Sequence, residues 1–388
     1  MDNNYIALID CDCFFVSCER KLNPELKGLP VSVVSGSNGC VISRSKEAKA
    51  MGVRMGEPMF MAQKEHPKCY YVPVHHDYYA KVSEKVMAVL RDFSPTVQVY
   101  SVDEAFVDLT GLCKLYKKNY RDLAIYLKER ILYETDIPVS IGVSRSKTLA
   151  KLASDKAKHE PDGIYLIGKQ KIKSELAKTP IEDVWGIGRN LTKLFHKSGI
   201  LTCAELIKKQ DAWLDKAIGI RGLEMKHELM GEYVSKITNE IKLPKSIQHT
   251  KALSEFSSDK NFLKNDLNRH IHSACKKLRE IECKTKTVTL FLRTKDFAIF
   301  TLKKKLNNPE DLELVISREV FKLLDELFDS NVLYRSTGVI FEDFVQISKI
   351  QLGLFPDEKT IKHDKLAKAI DNIEAKFGKN TIRTGFKP

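Results

Sequence analysis

At 388 residues the chain is longer than one ordinary core, so about two to four domains are expected. A hydrophobic content of 43% is enough for packed cores, yet no apolar run reaches the length of a membrane span, which argues against a membrane-embedded protein. The formal charge of +13 and a pI near 9.1 favour a polyanionic partner, nucleic acid before membrane. Nine cysteines stand without zinc spacing, and the pair Cys11-x-Cys13 lacks partner ligands. Their odd number, with a start Met1-Asp2-Asn3-Asn4 unlike a signal peptide, points to a reducing cytoplasm.

Taken in order, Tyr5-Ile6-Ala7-Leu8-Ile9 is an apolar run of buried-strand length that ends in Asp10-Cys11-Asp12. Cys13 to Glu19 reads as the turn into a short helix, with Phe14 and Phe15 either in a core or walling a substrate pocket. Pro30 to Ser35 and Gly39 to Ser43 read as a strand pair across a Gly/Ser/Asn turn. Ser45 to Met51 is a short helix, and Gly52 sits where a C-terminal cap belongs. Ser43, Arg44, Lys46 and Lys49 gather at its first turns, as a phosphate site or as a solvated lysine face.

Residues 76–92 form an amphipathic helix that leads into Val97 to Thr110, where β-branched and apolar residues flank Asp103-Glu104. This is a β-hairpin with acids at its turn. Neighbouring strand residues face opposite sides, so the two acids converge only if the backbone turns there. Apolar strands that deliver carboxylates at their ends suggest a hard-cation site such as Mg²⁺; two solvated turns are the alternative. A helix over 119–134, a strand over 139–143 and a lysine-rich helix from Lys147 to Lys158 complete an α+β domain with an insertion at about 14–74.

Composition changes after Leu166, and residues 170–235 read as short helices punctuated by glycine. Val184-Trp185-Gly186-Ile187-Gly188 and Ile218-Gly219-Ile220-Arg221-Gly222 carry the helix-hairpin-helix pattern. Its glycines let backbone N–H groups approach a phosphate closely; ordinary αα-hairpins are the alternative. A basic connection, Ile241 to Lys245, leads to a last module with strand 247–255, helix 260–280, strands 286–293 and 296–304, helix 309–328 and strand 335–344. That is a split β-α-β-β-α-β pattern, with Asn308-Pro309 predicting the start of the second helix. Lys284, Lys286, Arg293 and Lys303-Lys304-Lys305 supply charge for a phosphate backbone. Beyond lie Gln351-Leu352-Gly353-Leu354-Phe355-Pro356 and a segment with Leu366, Ile370, Ile373 and Phe377 at helical spacing.

Six motifs occur in one order along essentially the whole chain. They are Ile9-Asp10-Cys11-Asp12-Cys13-Phe14-Phe15, Glu47-Ala48-Lys49-Ala50-Met51-Gly52-Val53, Tyr100-Ser101-Val102-Asp103-Glu104-Ala105, Ser140-Ile141-Gly142-Val143-Ser144, Leu149-Ala150-Lys151-Leu152-Ala153-Ser154-Asp155 and Trp185-Gly186-Ile187-Gly188. In these motifs the chain resembles the Y-family, or translesion, DNA polymerases, and among them the bacterial UmuC-type branch. The resemblance implies an α+β right-hand polymerase. Its parts are a ferredoxin-like palm (1–13 and 75–166), small fingers (14–74), a helical helix-hairpin-helix thumb (167–240), a ferredoxin-like little finger (241–345) and a tail (346–388). It further implies dNTP addition to a primer 3′-hydroxyl across damaged template, at low fidelity and without proofreading, in SOS-type damage tolerance.

By that resemblance Asp10, Asp103 and Glu104 are the catalytic acids and hold two Mg²⁺ ions, with Mn²⁺ as a substitute and the Cys11 carbonyl as a further ligand. Lys158, with Ser43, Lys46 and Lys49 in the fingers, matches positions that contact the triphosphate. Many relatives have Tyr-Glu-Ala-Arg at Lys46-Glu47-Ala48-Lys49; lysine keeps the charge but not the bidentate guanidinium fork. Phe15 matches the aromatic gate that excludes a 2′-hydroxyl, and Phe14 its neighbour in the pocket wall. Asp12 and Asp108 are read as structural. Gly186, Gly188, Gly219, Gly222, Lys303 and Lys304 are the expected contacts to primer–template DNA. Gln351, Leu352, Leu354 and Phe355 match the peptide by which bacterial polymerases dock on the ring-shaped sliding clamp. Accessory SOS proteins are further expected partners, the compartment is a bacterial cytoplasm, and no membrane is involved. A nucleotide cyclase also places metals with two acids but does not need the hairpins, the last module or the positive charge. A non-catalytic DNA-binding protein does not need the acids.

Overall fold

The structure is a computed structural model that describes residues 4–36, 39–239, 243–349, 358–378 and 381. It divides into two compact units, Met1–Glu240 and Ile241–Pro388. The strands of the first unit are β1 (Ile6–Cys11), β2 (Val31–Val34), β3 (Val41–Arg44), β4 (Tyr70–Pro73), β5 (Val97–Val99), β6 (Glu104–Asp108), β7 (Val139–Ser144) and β8 (Ile164–Leu166). Five of them form one sheet in the order β5-β6-β1-β7-β8, and the insertion builds a smaller sheet in the order β3-β2-β4.

All six residues of the central strand β1 are buried, as the unbroken apolar run requires. Its side chains alternate between two cores. Ala7, Ile9 and Cys11 pack with Leu90 and Leu127 of the helices His76–Phe93 and Tyr120–Thr135. Ile6 and Leu8 pack on the other face with Phe106 and Ala150. The period of two therefore sends Asp10 to the second face, toward the helix Lys147–Ala157. Glu104 of β6 shares the parity of Phe106 and goes the same way.

Glycine at position 142 lets that helix lie down on β7. A Cβ at Gly142 would stand 2.0 Å from the Ser154 nitrogen and 2.4 Å from the Ala150 oxygen, both backbone atoms that cannot swing aside. Gly142→Ala is thus expected to force the helix off the sheet. The cost lies at or above the upper end of the ~1–3 kcal/mol usual for overpacking. Urea unfolding reads it as a lowered midpoint, and an unchanged midpoint would show that the contact relaxes freely.

Short helices follow, including Arg189–Lys197, Asp211–Ile218 and Ile220–Leu229. They are tied to the sheet domain by Glu228, a buried carboxylate that accepts bonds from Thr148 N (2.9 Å) and Thr148 Oγ1 (2.6 Å).

The second unit contains β9 (Ser246–Ser257), β10 (Cys283–Thr294), β11 (Ile299–Glu310) and β12 (Tyr334–Gln346), all paired antiparallel in the order β11-β10-β12-β9. The helices Lys260–Glu280 and Glu313–Leu327 cover one face, where Leu267, Ile271, Ile316 and Val320 meet Val288, Leu290, Val339 and Phe341. The element order is β-α-β-β-α-β, and the fourth strand lies between the second and the first.

Two expectations are corrected here. Asn308-Pro309 does not start the second helix: β11 continues through Pro309 to Glu310, which pairs with Thr285, and the helix begins at Glu313. An outermost strand tolerates proline because the missing N–H has no neighbour to serve. In the final helix, Glu358–Phe377, the buried positions among the described side chains are Ala367, Ile370 and Glu374, so of the four apolar residues at helical spacing Ile370 is buried while Leu366, Ile373 and Phe377 are exposed. Ion pairs choose that face. Arg279 holds Asp371 in a bidentate fork (2.6 and 2.8 Å), and Glu374 meets Lys276 at 3.0 Å and His272 at 3.1 Å.

Candidate active site

Asp10 and Glu104 are cross-strand partners in the β1–β6 register, and Asp10 faces Ser140 across β7. Asp10 is 5% exposed. Asp103 precedes β6 in a turn closed by Tyr100 N–H and Ser101 N–H to Glu104 O (2.9 and 3.1 Å). The backbone turn between β5 and β6 is what lets both acids sit at one strand end. Ser101 organises it: its hydroxyl donates to the Asp103 carboxylate and accepts from the N–H groups of Asp103 (3.2 Å) and Glu104 (3.0 Å). Cys11 N–H donates to the Asp103 carbonyl at 2.9 Å, tying the turn to the end of β1.

Two lysines of one helix reach the acids. Lys151 donates to Glu104 and lies 3.4 Å from Asp10 Oδ2, while Lys158, at the helix end, donates to the same Asp10 oxygen at 2.7 Å. Burial opposes the charge of both ammonium groups, but the acids prevail and hold both above the ordinary lysine range. Glu104 is pushed up to about 7, first by burial and then by its hydrogen bond with Asp10, against the pull of Lys151. The carboxylates thus oppose one another. Among the described residues no group of three His, Cys, Asp or Glu side chains is gathered for a metal ion. The structure brings Asp10 and Glu104 together around the lysines and leaves the Asp103 carboxylate with Ser101.

Lys151 was not singled out from the sequence. The signal was present, because it precedes Lys158 by seven residues, and a helix presents such positions on one face. Asp12 stands apart, accepting from the Ser140 hydroxyl at 2.7 Å, and Asp108 accepts from Thr110 N–H at 2.8 Å.

Phe14 and Phe15 open the helix Phe14–Leu22. Phe14 is buried in the main core, whereas Phe15 is half-buried and stacks on Tyr79 with centroids 4.7 Å apart. In the insertion Ser43 is buried at the end of β3, and Lys46 and Lys49 of the helix Lys46–Ala50 are exposed without an ion pair among the described residues. Lys46 acts across to the sheet domain: burial raises the Cys13 thiol, and the Lys46 charge opposes that rise.

Gly186 has φ 93° and Gly219 φ 76°, the left-handed region that glycine adopts without strain. Gly188 caps the helix Arg189–Lys197. Gly222 is buried against Ile218 and Leu214, and its N–H already bonds Gly219 O at 2.9 Å, so it serves the packing of two helices. Trp185 donates to the Tyr100 hydroxyl at 3.1 Å and packs edge-on against its ring, linking the first glycine motif to the acidic hairpin. Lys303 and Lys304 are neighbours on β11 and face opposite sides of the sheet. Lys303 pairs with Glu342 at 2.7 Å, and Lys304 lies opposite Val288. Gln351, Leu352, Leu354 and Phe355 lie outside the described residues.

Residues 9–155 match the impB/mucB/samB family, and residues 244–354 match the impB/mucB/samB family C-terminal domain. Protein UmuC of Salmonella typhimurium is 32% identical, covering 97% of this chain and 92% of its own length. DNA polymerase IV 1 of Halalkalibacterium halodurans is 30% identical over the same shares, 97% and 92%. Among solved structures, a Y-family DNA polymerase chimera of Dbh and Dpo4 superposes with a TM-score of 0.75 at 25% identity, covering 88% of this chain and 99% of its own. An insertion ternary complex of Dbh DNA polymerase covers the same shares at a TM-score of 0.60 and 25% identity. Likeness at this level, running through both units, reaches beyond a shared fold: the chain belongs to the UmuC-type Y-family DNA polymerases, DNA-directed enzymes of translesion synthesis and damage tolerance.

Proposed function

We propose that Asp10, Asp103 and Glu104 are the catalytic acids of this polymerase, which extends a primer 3′-hydroxyl with dNTPs opposite damaged template. One observation carries the reading. Two carboxylates from neighbouring strands and two ammonium groups from one helix converge on a single face of the sheet. The donor set fits a hard cation, since all the ligands are oxygens and the burial and the nearness of Asp10 that lift Glu104 are what a cation offsets. Asp10, Asp103, Glu104 and the Cys11 carbonyl are the groups to hold two Mg²⁺ ions, with Mn²⁺ as a substitute. Bound ions supply an activated 3′-hydroxyl and charge neutralisation at the transferred phosphate.

The chain's own residues do the rest. Lys158 presents its ammonium to the triphosphate, and Lys46 and Lys49 add charge from the fingers beside Ser43. Phe15 lies beneath the sugar, with Phe14 behind it in the core. Gly186 and Gly188 bring backbone N–H groups to the DNA phosphates, Gly219 turns the chain between its two helices with its own N–H bonded to Asp215 O (2.8 Å), Gly222 spaces those helices, and Lys303 and Lys304 add charge in the little finger. The palm, fingers, thumb and little finger run over 1–13 with 75–166, 14–74, 167–240 and 241–345. The test is primer extension on a lesion-bearing template with Mg²⁺ and all four dNTPs. Cyclic nucleotide formed without DNA would assign a cyclase instead.

The compartment we propose is a bacterial cytoplasm, on the nucleoid when engaged, with SOS proteins as accessory partners; the relatives named above are bacterial. Among the described residues no helix is long and apolar enough to cross a membrane. The tail at 346–388 supplies the clamp contact. Gln351 offers an amide to a pocket rim, and Leu352, Leu354 and Phe355 offer apolar anchors, which commonly carry most of a peptide's binding energy. Such a tether raises the enzyme's effective concentration at the primer end. Replacing Leu354 and Phe355 with Ala is expected to abolish stimulation by loaded clamp and to leave clamp-free extension intact. A double mutant that binds clamp as tightly as the parent would remove the assignment.

A further inference from the structure

Glu19 is a buried acid that the reaction above does not use. It follows Phe15 by four residues on the helix Phe14–Leu22, so the two side chains share one face. That face meets the first turn of the helix His76–Phe93. There Glu19 Oε1 accepts a hydrogen bond from the Tyr79 hydroxyl at 2.5 Å and lies 2.8 Å from His75 Nδ1. The Tyr79 ring stacks on Phe15 at 4.7 Å and 17°, and His76 meets the Phe15 ring edge-on at 6.3 Å and 87°.

A carboxylate only 3% exposed is costly to a fold, and among the described residues its one ion pair is with His75. An apolar side chain of similar size would fill the space at less cost. Burial, reinforced by the Glu19 carboxylate, holds the Tyr79 phenol far above its usual range, so the hydroxyl remains a donor. What the acid secures is the placement of one ring. Stacked aromatics slide and tilt easily, because offset geometries lie close in energy. A ring anchored at its hydroxyl cannot.

We propose that Glu19 is a positioning residue for sugar selection: by holding Tyr79 it fixes the plane on which Phe15 rests, and so the height of the Phe15 ring against C2′ of the incoming nucleotide. The inference rests on the reading of Phe15 as the sugar gate. Glu19 acts through Tyr79 and Phe15 and touches no reacting atom. Misplacement by about 1 Å at a selecting contact is enough to change rates up to about a hundredfold.

The test uses the full chain on primer–template DNA and measures kcat/KM for dCTP against CTP, with thermal unfolding recorded alongside. Tyr79→Phe keeps the stack and removes the tie; Glu19→Leu removes the acceptor; Glu19→Gln keeps one. Tyr79→Phe and Glu19→Leu are expected to lower the dCTP preference by roughly ten- to a hundredfold, the scale of one hydrogen bond to a charged group, through a gain in CTP incorporation. Glu19→Gln should restore most of the preference. In a Phe15→Ala background, Glu19→Leu should change the ratio no further. If Glu19→Leu fails to fold, Tyr79→Phe carries the test. A purely structural role would slow both nucleotides alike and leave the ratio unmoved, and that result overturns the proposal. Should Phe15→Ala lose the preference while Tyr79→Phe and Glu19→Leu keep it, the positioning role falls and the gate stands. Should Phe15→Ala itself keep the parent ratio, the gate reading falls, and the positioning role with it.

Discussion

Asp103→Ala or Glu104→Ala is expected to lower primer extension by about three orders of magnitude or more, while primer–template binding is largely retained. Removing one oxygen from a two-metal centre raises the barrier by several kcal/mol, roughly 4 for a thousandfold loss. The proposed DNA grip lies elsewhere, in the glycine turns and the little finger, so anisotropy with labelled primer–template should shift little. Near-normal turnover in Asp103→Ala would sink the assignment. A second measurement on Glu104 has the opposite sign. Its carboxyl is pushed up to about 7 in the folded chain from an ordinary value of 4.5, so ionisation there opposes folding. A raised acid favours the fold fully below its ordinary range, and that advantage is lost as pH rises through about 7. In metal-free buffer at pH 8, Glu104→Gln should therefore raise the unfolding free energy by ~1–3 kcal/mol, and at pH 4 it should not. A catalytic carboxylate costs stability, whereas a structural one would be missed.

The meeting of Asp10 and Glu104 was legible because strand chemistry and chain direction act together there, whereas the bond from Ser101 that holds the Asp103 carboxylate was not. Tyr5 to Ile9 is too apolar to be anything but a buried strand, and a charged residue at its end must find a partner or a cation. The alternation that puts Ile6 and Leu8 on one face also aims Asp10, and the same parity aims Glu104. Lys151 was missed because a lysine on an amphipathic helix looks solvated until the sheet beneath is known; its spacing to Lys158 was the one available sign. Lys303 and Lys304 read as one basic patch, yet a strand divides neighbours between its faces, and Glu342 neutralises one of them. Pro309 misled because proline opens helices and closes edge strands equally well, and which applies depends on the partner strand β10. In the last helix Leu366, Ile370, Ile373 and Phe377 stand at helical spacing, and of these only Ile370 is buried. Arg279, Lys276 and His272, about a hundred residues earlier, decided it by charge. Local pattern carries element type; long-range partners choose the face.

Phe15→Ala is expected to leave a working polymerase that incorporates ribonucleotides about a hundredfold or more readily than the parent. Steric rejection acts by clash, so its loss frees the wrong substrate without weakening the right one. The geometry isolates the effect. Phe15 is half-buried on the Tyr79 ring, so truncation opens space toward solvent instead of leaving a sealed cavity, and the cost in stability should stay near 1–2 kcal/mol. Phe14 behaves otherwise. Its ring is 3% exposed within the main core, so Phe14→Ala should cost about 3–5 kcal/mol and lower turnover of both nucleotide kinds through the fold. The pair of mutants thus separates selection from packing on adjacent residues. The measurement is single-nucleotide incorporation of dCTP and CTP opposite guanine, with a melting curve for each protein. An unchanged preference in Phe15→Ala, with the melting curve intact, would remove the gate from this residue and place it on a side chain that reaches the sugar from another element.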